Sequence, residues 1–193
     1  MSIQAAIEAV RNGNAEEYGH IVRQFQRPIY IYCSRLLGSD SEGEDAAQDI
    51  FVKAYQSIGR YKPTGSFSSW LYSIAYHHCL NLLRRRKLHL KLQSLLKREE
   101  QTPGPETIVD NRTLSPNIEA ALGRLSASER SLLILNILEE RTSQEIAAIV
   151  GKNPEAVKKR IGRAKRKLRT MLVEEREVGI WSAQQDTLMQ TRS

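Results

Sequence analysis

Asp45, Gln48 and Asp49 are spaced i, i+3, i+4 within GEDAAQDIFVKAY (43–55), so a helix there carries two carboxylates and an amide on one face. Such a face can clamp a basic helical partner. Glu42 and Glu44 lie near the start of that helix, where they answer its dipole, but Gln48 and Asp49 are too far in for that role. A second stretch, GKNPEAVKKRIGRAKRKL (151–168), combines cations with an apolar stripe at Val157, Ile161, Ala164 and Leu168. The opposite face holds Glu155, Lys159, Arg163 and Arg166, flanked by Lys158, Arg160 and Arg169. A helix that buries one side and presents cations on the other suits the major groove of DNA beside its phosphates. The first two turns would meet base edges, Glu155 accepting from a cytosine amino group and Lys158, Lys159 and Arg163 serving guanine or phosphate. Arg166 and Arg169 lie further along and suit backbone contacts.

A third set surrounds residues 61–87. Opening a duplex needs a trap for an unstacked base and cations that track the freed strand. Lys62, Ser66, Tyr61, Phe67, Trp70, Tyr72, Tyr76 and Asn81 supply candidates for the trap, and Arg84, Arg85, Arg86 and Lys87 supply the cations. The aromatics cannot all face solvent. Phe67, Leu71, Ile74 and Ala75 have the spacing of plain core packing, and Trp70 straddles core and surface. His77-His78-Cys79 could suggest metal ligands, but adjacent side chains on a helix diverge by about 100° and no second Cys/His cluster follows. No metal and no cofactor is expected. Cys33 and Cys79 are expected to be reduced and buried. There is no phosphate loop, nucleophile motif or paired-carboxylate site, so the chain is not expected to be an enzyme.

The elements that must position these groups are helical throughout. Asn14 and Glu17 have capping-box spacing ahead of Ile21, Val22 and Phe25. Pro28 reads as the opening of another helix, closed by Leu36-Leu37-Gly38. Ser41 reads as the start of a third, running to about Ile58, and a long helix begins at Phe67. Ser126–Glu129 and Thr142–Glu145 are capping boxes, and Asn153-Pro154 reads as an N-cap followed by proline at the first helical position. A short helix with Ile146, Ala147 and Val150, a turn at Gly151 and a helix from Pro154 make helix–turn–helix punctuation.

The net charge of +7 is concentrated in two blocks. Residues 84–100 hold seven basic against two acidic groups, and residues 124–176 hold thirteen against seven. Between them, QTPGPETIVDNRTLSPN (101–117) is rich in proline, lacks periodicity and reads as a flexible linker. Two basic patches on one chain suggest a polyanion contacted twice. No apolar run approaches the roughly 18 residues of a membrane span, and the N-terminus lacks the pattern of a secretory signal. The expected fold is all-α: two small helical domains, 1–97 and 118–176, joined by a linker at 98–117 and followed by a tail at 177–193.

GEDAAQDIFVKAY and FSSWLYSIAYHHCLNLLRRRK (67–87) resemble regions 2.2 and 2.3–2.4 of bacterial RNA polymerase sigma factors of the extracytoplasmic-function (ECF) group. That group typically shows A-E-D-x-x-Q-[DE]-x-F and F-x-x-W-L-x-x-I-A-x-N-x-x-x-[DN]-x-x-R-[RK]. Here the first is met by Glu44, Asp45, Gln48, Asp49 and Phe51, with Gly43 in place of alanine. The second is met by Phe67, Trp70, Leu71, Ile74, Ala75, Asn81, Arg84 and Arg85, with His77 in place of asparagine. RTSQEIAAIVGKNPEAVKKRIGRAKRKLR (141–169) resembles region 4, with Glu155-Ala156-Val157 where Gly-Thr-Val is usual.

The resemblance implies a cytoplasmic transcription factor that binds core RNA polymerase through its β′ coiled coil and β flap. It implies that Asp45, Gln48 and Asp49 meet the polymerase. The loop with Lys62 and Ser66, together with Phe67, Trp70 and Asn81, would hold a flipped base of the −10 element, and Arg84, Arg85, Arg86 and Lys87 its backbone. Glu155, Lys158, Lys159, Arg160, Arg163 and Arg166 would read the −35 duplex. An anti-sigma factor that masks both domains is a further implied partner, and no membrane insertion is implied. A conventional dimeric helix–turn–helix repressor is the competing reading; the strand-capture aromatics and the acidic-amide patch speak against it.

Overall fold

The computed structural model describes the backbone of residues 2–62, 65–96 and 115–190, with side chains as far as 93 in the first half and as far as 173 in the second. Among the described residues every regular element is helical. Helix α1 (Ile3–Arg11) is capped by Ser2, whose hydroxyl accepts from the Ala5 amide at 3.2 Å, and it buries Ala6, Ile7 and Val10. A single 3₁₀ turn at Ala15–Glu17 leads into α2 (Tyr18–Leu37). Asn14 makes no side-chain cap there, so the expected capping box is absent.

Helix α2 runs straight through Pro28 rather than opening at it. An internal proline costs a helix about 3 kcal/mol. The apolar stripe Ile21, Ile29, Tyr32, Cys33 and Leu36 continues in phase on both sides, and all five are buried. Burying such residues stabilises by about 1.5–3 kcal/mol each, which outweighs one lost hydrogen bond. Gly38, at φ 78°, ends the helix with its amide on the Ser34 carbonyl.

Helix α3 (Asp40–Ser57) starts one residue before the expected Ser41, because Ser39 is the cap and accepts from Glu42 N at 3.3 Å. Asp40 and Glu42 occupy its first turn, at the positive end of the dipole. Gly43 lies directly against α2: a Cβ there would stand 2.1 Å from Ser34 Oγ and 2.7 Å from both Ser34 Cα and N. Only glycine permits this approach. The N-terminal half closes with α4 (Phe67–Leu96), whose start is capped by Ser66 Oγ accepting from Ser69 N at 3.1 Å.

The C-terminal half begins at α5 (Pro116–Gly123), which opens within the stretch read as linker; residues 97–114 lie outside the described residues. Helix α6 (Ala127–Leu133) has the complete Ser126–Glu129 capping box and widens into a π-helical turn at Ile134–Leu138. Helix α7 (Ser143–Val150) has the complete Thr142–Glu145 box and ends at Gly151, φ 64°. Helix α8 (Pro154–Gln190) begins where Asn153 Oδ1 accepts from Glu155 N at 2.9 Å. Its backbone stays helical well into the tail.

One hydrophobic cluster runs from Ala6 and Ile7 through α2, α3 and α4 to Ile146, Ile149, Val157 and Ile161. A smaller one gathers Leu122, Leu125, Leu133 and Ala164 beneath α5. The two halves thus share a core instead of standing apart. Polar contacts seal the seam. Tyr32 and Ser131 bond through their hydroxyls, the Arg130 guanidinium donates to the Leu36 carbonyl at 3.0 Å, and Tyr72 donates to Glu139 at 2.6 Å. Arg141 donates to Ser68 Oγ at 2.6 Å while its guanidinium lies 4.5 Å from the Tyr72 ring centre.

Candidate nucleic-acid and protein interfaces

Helix α3 buries Ala46, Ala47, Ile50 and Ala54 against α2 and α4. The same periodicity leaves Asp45, Gln48 and Asp49 exposed together, as the spacing predicts. Val52 and Tyr55 are exposed on the next turns, at 56% and 44%, and extend this face with apolar surface that the spacing of its polar residues does not reveal. Between α3 and α4 an open cleft of about 330 Å³ has Leu37, Ala46 and Leu82 among its walls and Glu42, Asp45 and Asp49 along its acidic side. Arg86 crosses it to Glu42 at 3.4 Å, tying one of the four proposed backbone-tracking cations to α3.

The candidate strand-capture residues separate clearly. Tyr61, Phe67, Tyr72 and Tyr76 are buried, Trp70 is half-buried and Asn81 is exposed. Tyr61, Phe67 and Trp70 form a mutual aromatic group with ring centres 5.2–5.4 Å apart, and Phe25 backs Phe67 at 5.7 Å. Phe67 therefore packs, as its spacing suggested, and its place is beneath Trp70. Arg11 at the end of α1 fixes the preceding loop by donating to the carbonyls of Ile58, at 3.1 Å, and Tyr61. Ser66 and Lys62 lie exposed on that loop, and Tyr61 closes it by donating to the Gly65 carbonyl at 2.9 Å. One turn beyond Asn81, whose side-chain oxygen accepts from Arg84 at 3.4 Å, Arg85, Arg86 and Lys87 are exposed along α4.

In α8 the stripe behaves as the sequence implies: Val157, Ile161 and Ala164 are buried, and Glu155, Lys158, Lys159, Arg163 and Arg166 are exposed. Arg160 differs. It is partly buried and donates to Ser128 Oγ of α6 at 2.8 Å, so its first task is to join two helices. Lys167 is similarly engaged with Glu129, which lowers the Glu129 pKa together with the Ser126 bonds of the capping box. Arg124, at the end of α5, joins Arg163, Arg166 and Lys167 around an open cleft of about 490 Å³. Four cationic side chains from two helices around one cleft suit a phosphate backbone. Arg124 was invisible to pattern reading because it lies about 40 positions from the others.

Cys33 and Cys79 are free, fully buried and 3.6 Å apart at sulfur, and the contact with Cys79, together with burial, pushes the Cys33 thiol pKa up. Among the described residues no group of three or more His, Cys, Asp or Glu could hold a metal ion, and no helix is long and apolar enough to cross a membrane.

Residues 21–89 match the family model for sigma-70 region 2, and residues 116–168 match that for sigma-70 region 4. The chain is 30% identical to the ECF RNA polymerase sigma factor SigW of Bacillus subtilis, over 89% of this chain and 97% of that protein. It is 28% identical to the RNA polymerase sigma factor CnrH of Cupriavidus metallidurans, over 83% and 89%. Among solved structures, CnrH in complex with the cytosolic domain of CnrY aligns with a TM-score of 0.64 at 24% identity, covering 88% of this chain and 96% of that one. RpoE of Bartonella quintana, in complex with the anti-sigma factor NepR, aligns with a TM-score of 0.65 at 20% identity, covering 82% and 98%.

Proposed function

The chain belongs to the ECF RNA polymerase sigma factors, and on that premise we propose how it divides the work of promoter recognition between its two halves. A sigma factor is a transcription initiation factor and not an enzyme. The N-terminal half, residues 1–97, binds core RNA polymerase through Asp45, Gln48 and Asp49. It captures the −10 element as a single strand on the Ser66–Trp70 surface and Asn81. Exposed Arg84, Arg85 and Lys87 track the strand by charge, while Arg86 does so in exchange for its bond to Glu42. The C-terminal half, residues 118–176, reads the −35 duplex with Glu155, Lys158, Lys159 and Arg163 and grips phosphate with Arg166. It meets the polymerase at the β flap. The sites of action are cytoplasmic, where the polymerase is.

The observation that carries this reading is the division of α8. Its buried stripe and its exposed cationic face lie on opposite sides of one helix, at the second position of a capped helix–turn–helix. An acidic-amide face on α3 in the same chain supplies what a polymerase-bound factor needs and a free-standing repressor does not. CnrH and RpoE are each held by a partner in their solved complexes, and this chain is likewise controlled by an anti-sigma factor that covers both halves.

The test is transcription in vitro with core polymerase freed of other sigma factors, on a promoter library. Specific initiation that depends on this protein supports the reading. Tight binding to a palindrome without polymerase, and no initiation, overturns it.

A further inference from the structure

His78 lies on α4 at the edge of the cleft beside α3 and is 9% exposed. Its two ring nitrogens meet different neighbours. Nδ1 contacts the Lys53 ammonium, while Nε2 is buried with no hydrogen-bond partner and stands 3.5 Å from Asp49 Oδ2. An ammonium donates and cannot accept, so Nδ1 must be the accepting nitrogen and the proton must sit on Nε2. The ring therefore aims a buried N–H at the acidic side of the cleft, with no acceptor in hydrogen-bonding geometry. A buried donor left unmade is unfavourable, and a small side-chain rotation of Asp49 would satisfy it.

The neighbours also set the charge. Burial lowers the His78 pKa first, Lys53 and Arg85 lower it further, and Asp49 opposes them. A neutral imidazole can orient a carboxylate without cancelling its charge, whereas an imidazolium would compete for it. The ECF pattern leaves position 78 unspecified, so the resemblance assigns His78 no role of its own.

We infer that His78 is a positioning residue for Asp49: with Lys53 holding the proton on Nε2, the imidazole fixes the carboxylate in the orientation that meets a cationic side chain of core RNA polymerase. The inference rests on the reading of α3 as the polymerase-binding face.

The test measures the affinity of the full-length protein for core polymerase in four variants: His78→Leu, His78→Gln, Asp49→Asn and the His78→Leu/Asp49→Asn double. Asp49→Asn is expected to weaken binding roughly tenfold and His78→Leu roughly three- to tenfold, with the double no weaker than Asp49→Asn alone. His78→Gln keeps a side-chain N–H donor and should return to within about twofold of the parent. Losses that multiply in the double variant overturn the inference, as does a His78→Leu protein that binds normally while Asp49→Asn does not. If Asp49→Asn itself binds normally, the reading of α3 falls and this inference with it.

The pH profile of the soluble parent and His78→Gln proteins gives a second readout that needs no leucine at a buried site. The charged groups facing the ring are Asp49 and Lys53 from α3 and Arg85 from α4, with Glu42, Asp45 and Arg86 further along the cleft. As pH falls below the ordinary histidine value, His78 gains charge and competes for Asp49, so the parent should lose affinity more steeply than the glutamine variant. Coincident profiles overturn the inference.

Discussion

The hydroxyls of Tyr32 and Ser131, 99 positions apart, meet at 2.8 Å in the seam between α2 and α6, where both residues are fully buried. Neither can turn to water, so each depends on the other. Desolvation pushes the Tyr32 pKa up, and the Ser131 bond only partly opposes it. Tyr32→Phe and Ser131→Ala should each destabilise the protein by about 1–2 kcal/mol, and the double variant should cost clearly less than their sum. Urea unfolding of the four proteins measures this coupling, and strictly additive losses would show the pair to be incidental.

Gly43 is the second point of no freedom. A methyl group there meets the Ser34 backbone as well as its hydroxyl, so Gly43→Ala should cost about 1–3 kcal/mol or more through forced separation of α2 and α3. Adding Ser34→Ala removes only the hydroxyl and should not restore stability, because Ser34 Cα and N remain at 2.7 Å. Thermal unfolding of the single and double variants decides it: full rescue by Ser34→Ala would place the conflict in the side chain alone.

Acid should loosen the protein in two steps. His78 has a folded pKa below its ordinary value of 6.5, so the unfolded chain binds the extra proton first, and the stability present above pH 6.5 is lost as pH falls through the folded value. The Glu129 and Glu145 carboxylates are also lowered, Glu129 first by Lys167 and Glu145 first by the Thr142 amide of its capping box. Their contribution is present above about pH 4.5 and fades below it. His78→Gln should flatten the upper step only, and Glu145→Gln part of the lower one, in chemical denaturation repeated across pH.

On the DNA side, structure separates residues that sequence groups together. Arg163→Ala should relax base preference within the −35 element and cost about 1–3 kcal/mol. Arg166→Ala should weaken binding across all sequences and reduce the salt slope by about one. Arg160→Ala should act mainly on stability, since Arg160 is bonded to Ser128. Promoter selection and salt dependence of initiation by the reconstituted polymerase distinguish the three; an Arg160→Ala protein of parental stability with altered base preference would reverse the last assignment.

Local chemistry made much of this architecture legible. The Ser126 and Thr142 boxes, the Gly38 and Gly151 stops and the Val157–Ile161–Ala164 stripe are all short-range signals, and each stands where the sequence puts it. The exposed i, i+3, i+4 face of α3 is equally local. Pro28 misled because a local penalty was set against a stripe whose benefit comes from distant packing partners. Asn14 misled because the chain makes a 3₁₀ turn in place of a capped first turn. The Tyr72–Glu139 and Arg141–Ser68 bonds, the Lys53–His78–Asp49 arrangement and the role of Arg124 join different helices, and no spacing rule within one helix reports them.

The hydrophobic cluster that runs from Ala6 to Ile161 has a calorimetric consequence. Side chains of both halves are buried in it together, so neither half can expose its share to water without stripping the other. Heating should therefore give one endotherm, with calorimetric and van't Hoff enthalpies in agreement, in place of the two staggered peaks of independently melting modules.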